Sequence, residues 1–308
     1  MTSSIVALTG ATGFIGKYLL GSLALSGYQV RVLLRSPTAL PPSCQNAVIG
    51  DLARPINMSA ALAGVDTVIH SAGIAPTMTG APDEDFRKLD AKATAALALA
   101  AQRAGVRRFV FMSSLRAEAD VSAAETLNEN SEPKPTDAYG QSKLAAEREL
   151  AKLDLDWVAL RLALVVGPGV KGNMARLIRL ARSPYPLPFG ALRAKRSLLS
   201  IANLSAAVEC VMTTRDPLRR PLIVADPDSL TVPEMVAAMR AGLGRAPGLI
   251  FVPESVLRFG FWLSGHTELY RRLAEPLVGD PTELLRIGWV PRLAISTALA
   301  DTAKNYEM

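Results

Sequence analysis

Through the first half of the chain, short apolar runs ending in glycine, serine or a polar turn alternate with stretches of helical spacing. Ile5-Val6-Ala7-Leu8 predicts a buried strand, Thr9-Gly10-Ala11-Thr12-Gly13-Phe14-Ile15-Gly16 a tight turn, and Lys17 to Ser26 the helix after it. Tyr28 to Leu34 predicts a second strand. Ala47-Val48-Ile49 and Thr67-Val68-Ile69 predict a third and fourth, ending in Gly50-Asp51-Leu52 and His70-Ser71-Ala72-Gly73. From Asp85, Phe86, Leu89, Ala93, Ala96, Leu97 and Ala100 recur at helical spacing until Gly105. Phe109 to Met112 predicts a fifth strand ending at Ser113-Ser114, Ala138 to Glu147 a helix, and Trp157 to Val166 a sixth strand. Leu115 to Thr136 is a long, polar, proline-containing loop, of the kind that is often functional or mobile.

This alternation predicts an α/β fold, a Rossmann-type doubly wound parallel sheet. After Gly169 the regularity breaks down. A basic helix from Met174 to Arg182, prolines at 184, 186 and 188, an extended stretch from Arg196 to Ile201 and a helix from Asn203 to Met212 come next. A strand from Leu222 to Ala225 and a helix from Thr231 to Gly242 capped by Thr231 follow, and the rest reads as short helices and turns. The expected division is a core over residues 1–166, to which segments near 197–225 return, and a smaller, mainly substrate-binding portion over 167–308.

Composition narrows the classes. With 308 residues, 49% apolar and 20% charged, the chain is of ordinary globular make-up. The net charge of +6 comes from dispersed Lys and Arg, which points to a solvated basic surface and not to nucleic acid. Arg161 interrupts the apolar run Trp157 to Val166, and Glu254 and Arg258 interrupt Phe251 to Leu263, so no membrane span is expected. The first strand begins by Ile5, leaving no room for a signal peptide, and Cys44 and Cys210 lie too far apart to suggest a disulfide framework. A cytoplasmic location is expected. With His70 and His266 the only histidines and no paired Cys or His spacing, no metal site is expected.

Two patterns carry chemistry. The first is the glycine turn between a strand and a helix, where close backbone approach and the helix N-terminus together suit a pyrophosphate. Its glycines at 10, 13 and 16 are spaced G-x-x-G-x-x-G, not the strict dinucleotide fingerprint. The second strand ends in Leu34-Arg35-Ser36-Pro37 without the acid that an NAD-specific site places there, and Arg35 is a candidate partner for a 2′-phosphate. This favours NADP(H) modestly. The second pattern joins Tyr139 and Lys143, four apart on one helix face, to Ser114 at a strand end. A phenol's ordinary pKa near 10 calls for a nearby cation if it is to exchange protons at neutral pH, and Lys143 supplies one.

Glycine loop, Asp51, His70-Ser71-Ala72-Gly73, Ser113-Ser114 and Tyr139-x-x-x-Lys143 stand in the order and spacing of one family. The chain resembles the extended short-chain dehydrogenase/reductases, specifically the NAD-dependent epimerase/dehydratase group acting on nucleotide sugars. The likeness runs through Gly288-Trp289-Val290-Pro291. It implies that Gly10, Gly13 and Gly16 hold the pyrophosphate of NAD(P), with Phe14 and Ile15 beside it. Asp51 and Leu52 would then contact adenine, and Ala72 would line the cofactor groove. It further implies Tyr139 as acid/base, Lys143 on the nicotinamide ribose, Ser114 on the substrate oxygen, and Asn173 and Arg196 on a nucleotide-sugar diphosphate. Asn173 could equally be a helix N-cap, and Arg196 a surface charge. Leu115-Arg116-Ala117-Glu118 lacks the acidic pair of the resembling 4,6-dehydratases, which disfavours dehydration. The expected activity is 4-keto reduction or 4-epimerisation of a nucleotide-linked hexose. The alternatives are an NADPH-dependent ketone reductase of steroid or flavonoid type and a non-catalytic cofactor-sensing protein. The expected partner is the nucleotide sugar, with a second copy in a homodimer left open.

Overall fold

The structure, a computed structural model, describes residues 4–40, 44–52, 55–73 and 91–306. Its strands are β1 (Ile5–Thr9), β2 (Gln29–Leu34), β3 (Gln45–Val48), β4 (Val65–His70), β5 (Arg108–Ser114), β6 (Trp157–Leu162), β7 (Leu164–Val166), β8 (Lys195–Ser200), β9 (Arg220–Val224) and β10 (Ser229–Thr231). They form a seven-stranded sheet in the order β3-β2-β1-β4-β5-β6-β9 and a three-stranded sheet in the order β10-β8-β7. Every position of β5 and β6 is buried, the signature of parallel strands covered on both faces. This is the Rossmann-type sheet that the β/α alternation predicts.

From β1 the chain moves outward through β2 to β3, then returns to pair β4 on the other side of β1 in parallel. The carboxyl ends of β1 and β4 therefore flank the point where strand order reverses, the place where such sheets bind ligands. Thr9 and His70 face each other there in register. Gly10, Arg35, Asp51, Ala72 and Ser114 all follow strand ends on this same edge or close one of its strands.

Local details depart from the sequence reading. The first helix runs Phe14–Leu25, not from Lys17, because Gly13 is its N-cap and Phe14, Ile15 and Gly16 form its first turn. The stretch Trp157 to Val166 is not one strand. It breaks at Ala163, whose N–H donates to Val224 O (2.9 Å), so that β6 ends in the large sheet and β7 begins in the small one. The residues on both sides of Ala163 are apolar, and nothing in them marks such a change of partner. The helix predicted from Asp85 begins outside the described residues, and its described part is Ala93–Arg103.

The chain divides into two compact units, one of Met1–Glu118, Glu132–Leu162 and Ala207–Leu222, the other of Ala119–Ser131, Ala163–Ala206 and Ile223–Met308. In the second, the helix Val232–Gly242 opens on a capping box: Thr231 accepts from the Glu234 N–H (3.4 Å) and Glu234 accepts from the Thr231 N–H (2.7 Å). Asn203 ties this unit together. It donates to Asp226 and to Leu293 O (both 2.7 Å) and accepts from the Arg292 N–H (2.7 Å), while Trp289 Nε1 donates to its carbonyl (3.2 Å). Part of the long polar loop is ordered here, its backbone bonded to the segment 276–278 through Ala123 and Leu127. Among the described residues, no helix is long and apolar enough to cross a membrane.

Candidate active site

The glycine loop owes its shape to two of its three glycines. Gly10 has φ of 72°, and a Cβ there would lie 2.6 Å from Ala72 N. A Cβ on Gly16 would lie 2.1 Å from Gly10 O, so the helix packs directly on the turn. Gly13 differs, since its Cβ would meet nothing nearer than Gly10 O at 3.3 Å. Its outer side faces space that a ligand can use, and as N-cap it supplies no side-chain acceptor to the helix. Helix N-terminal N–H groups without a capping side chain suit a phosphate.

The loop is held from below. Thr9 Oγ1 accepts from the Ala72 N–H (3.2 Å) and lies 2.7 Å from His70 Nδ1, while His70 Nε2 lies 3.1 Å from Thr94 Oγ1. A neutral imidazole has one N–H and one lone pair, so either tautomer serves both threonines. Burial pushes the His70 imidazole down to about 3, with the Lys143 cation adding to the effect. The ring stacks on Phe111, 5.7 Å between centroids. Of the other predicted cofactor residues, Arg35 and Asp51 are exposed beyond β2 and β3, and Leu52 is half-buried against the core.

Ser114 ends β5 and caps the short turn Leu115–Ala117, accepting from the Arg116 N–H (3.2 Å). The helix Ala138–Leu150 starts at Asp137, which accepts from the Gly140 N–H (3.0 Å) and pairs with Arg116. A Cβ on Gly140 would lie 2.2 Å from Arg116 O, so only glycine lets the helix press this closely on the turn after Ser114. Tyr139, half-buried, sits at that contact. One turn on, the buried Lys143 places its ammonium 4.9 Å from the Phe111 ring centre and 5.8 Å from that of Tyr139. The structure thus sets the helix that carries Tyr139 and Lys143 against the turn that follows Ser114.

A further turn on, Glu147 belongs to a buried charged cluster that motif reading passed over. Arg161 donates to Glu147 (2.7 Å) and to Glu118 (2.9 Å), and Ser113 donates to Glu147 (2.5 Å). All four residues are at most 4% exposed. Burial opposes the Arg161 charge, but its bonds to Glu147 and Glu118 outweigh that and raise its pKa. Such a pair is costly to break, because an uncompensated buried charge remains. The available signals were Arg161 inside the apolar Trp157-Val158-Ala159-Leu160-Arg161-Leu162 and Glu147 four residues beyond Lys143.

Asn173 and Arg196 belong to the second unit. Asn173 is the second residue of the helix Gly172–Arg182; the cap position falls on Lys171. Arg196 is no loose surface charge: it donates to Glu275 O (2.7 Å) and Val121 O (3.0 Å).

A family profile described as "NAD dependent epimerase/dehydratase family" matches residues 6–224. The chain is 30% identical to the UDP-glucose 4-epimerase of Vibrio cholerae, over 98% of this chain and 95% of that one. It is 29% identical to the ceramide reductase of Caulobacter vibrioides, over 94% of this chain and 87% of that one. Among solved structures, MoeE5 in complex with UDP-glucose and NAD superposes with a TM-score of 0.74 at 27% identity, covering 98% of each chain. The chain belongs to the NAD-dependent epimerase/dehydratase family of extended short-chain dehydrogenase/reductase enzymes.

Proposed function

We propose that the protein is an NAD(P)-dependent oxidoreductase or epimerase acting at a sugar carbon of a nucleotide-linked hexose, by 4-keto reduction or 4-epimerisation. The observation that carries this is the pressing of the Tyr139–Lys143 helix, through Gly140, onto the turn after Ser114. Support for the substrate class comes from the Vibrio cholerae relative and from the UDP-glucose bound by MoeE5.

The open side of Gly13 and the uncapped first turn fit a dinucleotide pyrophosphate, held by Gly10, Gly13 and Gly16 with Phe14 and Ile15 beside it. When bound, the nicotinamide supplies the acceptor and donor of hydride. Asp51 and Leu52 lie towards adenine, Ala72 lines the groove, and Arg35 favours the 2′-phosphate of NADP(H). Tyr139 gives a proton to a sugar carbonyl oxygen on reduction and takes one from the hydroxyl on oxidation. Lys143 supplies the cation that favours the phenolate, and it binds the ribose. Ser114 donates its hydroxyl to the same substrate oxygen.

A second reading, reduction of a lipophilic ketone without a diphosphate, is favoured by the engagement of Arg196 with two backbone carbonyls and by the ceramide reductase relative. Steady-state kinetics separate the two. Tyr139→Phe should lower turnover 10²–10⁴-fold, the usual range for a general acid–base group, while leaving dinucleotide binding intact. Near-normal turnover would remove Tyr139 from the chemistry. If Asn173 and Arg196 serve a diphosphate, Arg196→Ala should raise KM for UDP-glucose or UDP-galactose and spare a phosphate-free ketone. Equal harm to both substrates would favour the second reading. Arg35→Ala should weaken NADPH roughly tenfold more than NADH, and equal losses would leave Arg35 a solvated loop residue.

A further inference from the structure

Between Asp156 and Glu209 the chain carries no acidic residue. Lys171, Arg176, Arg179, Arg193 and Lys195 in this stretch are all exposed. The helix Gly172–Arg182 buries Met174, Ala175, Leu177, Ile178 and Ala181, so its arginines at 176 and 179 face solvent together with the half-exposed Leu180. This stretch thus offers exposed cations with no acid among them in sequence, two of them on one helix face, even though no dense basic run marks it.

The same unit exposes an apolar surface next to that stretch. The segment 183–190 runs beside 248–251 through backbone bonds from Leu187 N to Gly248 O (2.9 Å), Ile250 N to Leu187 O (3.0 Å) and Gly190 N to Ile250 O (3.0 Å). Arg245 and Arg240 fasten the join, donating to the carbonyls of Arg182 (2.8 Å) and Tyr185 (2.7 Å). Tyr185, Ile250 and Phe251 stand exposed there. Three residues on begins the helix Glu254–Leu263, which buries only Leu257 and exposes Val256, Phe259, Trp262 and Leu263. Phe259 and Trp262 lean on each other, 5.8 Å between ring centroids, and not on a core.

We propose that this face docks the protein on an anionic lipid bilayer. Exposed Phe, Trp and Leu on a short helix suit the boundary between headgroups and acyl chains, and the exposed cations of the same unit suit anionic headgroups. The helix has 10 residues, so it lies in the interface and does not span. A second copy is the poorer occupant. A two-fold contact would set the apolar patch against itself and leave the exposed cations of this unit without an anionic partner.

Trp262 makes the test direct. It is 63% exposed, whereas Trp157 and Trp289 are 6% and 2% exposed, so a change of emission on adding vesicles reports Trp262. The full chain should float with vesicles of phosphatidylcholine and phosphatidylserine, shift its emission to the blue, and stay behind with phosphatidylcholine alone. Added salt should weaken the binding by screening. Phe259→Ser with Trp262→Ser should abolish flotation at an unchanged melting temperature. Arg176→Glu with Arg179→Glu should weaken it at least about tenfold, since each surface cation is worth a factor of roughly five. The proposal falls if the wild-type chain ignores the anionic vesicles. It falls equally if flotation survives the loss of Phe259 and Trp262, or if those substitutions only dissociate a dimer that has no vesicle affinity.

Discussion

His70 in the first compact unit and Asp226 in the second are both almost fully enclosed, and the same loss of water drives both towards their uncharged forms. Burial pushes His70 down to about 3. It pushes Asp226 up to about 6, against the bonds from Asn203 and the Ser200 N–H, with Asp228 adding to the rise. One cause gives opposite pH responses, because an imidazole is neutral without its proton and a carboxyl is neutral with it. Arg161 shows the third outcome. Ringed by Glu147 and Glu118, it stays charged in equally dry surroundings. Desolvation alone therefore does not decide whether a buried group carries charge; partners of opposite sign do.

The largest expected effect tests the His70 half of this contrast. Its ordinary pKa of 6.5 applies in the unfolded chain and about 3 in the folded one. The associated stability is therefore complete above pH 6.5 and lost as pH falls towards 3. Over the whole window the loss amounts to about 4–5 kcal/mol. Denaturant titrations of the wild type and His70→Asn at neutral and acid pH should diverge accordingly, with the wild type losing about 3 kcal/mol more by pH 4. A constant difference between the two curves would mean that His70 is not held neutral.

Asp226 should respond in the reverse sense. With 3.8 unfolded and about 6 folded, its stability is complete below pH 3.8 and is lost as pH rises through 6. The loss is about 3 kcal/mol. An amide does not titrate, so Asp226→Asn should gain on the wild type by up to that amount between pH 4 and pH 7. Parallel pH profiles would break the comparison.

The smallest effect concerns what each centre supports. Thr9→Val removes the hydroxyl joining His70 to the Ala72 N–H, at a cost of about 1–2 kcal/mol. Dinucleotide affinity, read by fluorescence titration, should fall a few-fold, on the order of 1 kcal/mol, because the glycine loop rests on that hydroxyl. Unchanged affinity would show that the His70 centre stabilises the sheet without positioning the loop.

Much of the first unit was legible in the residues. β1, the glycine turn and the helix after it are contiguous, and Tyr139 and Lys143 are one helical turn apart, so local geometry alone brings them into relation. The tie between Arg116 and Asp137 and the close approach at Gly140 were not legible. They depend on a turn and a helix that the intervening polar loop separates in sequence. The second unit was the harder half for the same reason. Asn203 draws together Asp226, Trp289, Arg292 and Leu293, none of them within a turn of it along the chain.

By itself the sequence determined the α/β alternation, the glycine turn between a strand and a helix, and the one-turn spacing of Tyr139 and Lys143, because periodicity and short spacing are properties of the chain alone. Only the tertiary structure decided that the run Trp157 to Val166 changes sheets at Ala163 and that Arg161 is neutralised by carboxylates 14 and 43 residues away. It likewise turned Arg196 to the carbonyls of Glu275 and Val121 and left Phe259 and Trp262 facing outward. An apolar or charged side chain states what kind of surroundings it needs. Which surroundings it receives depends on what the folded chain brings across from elsewhere.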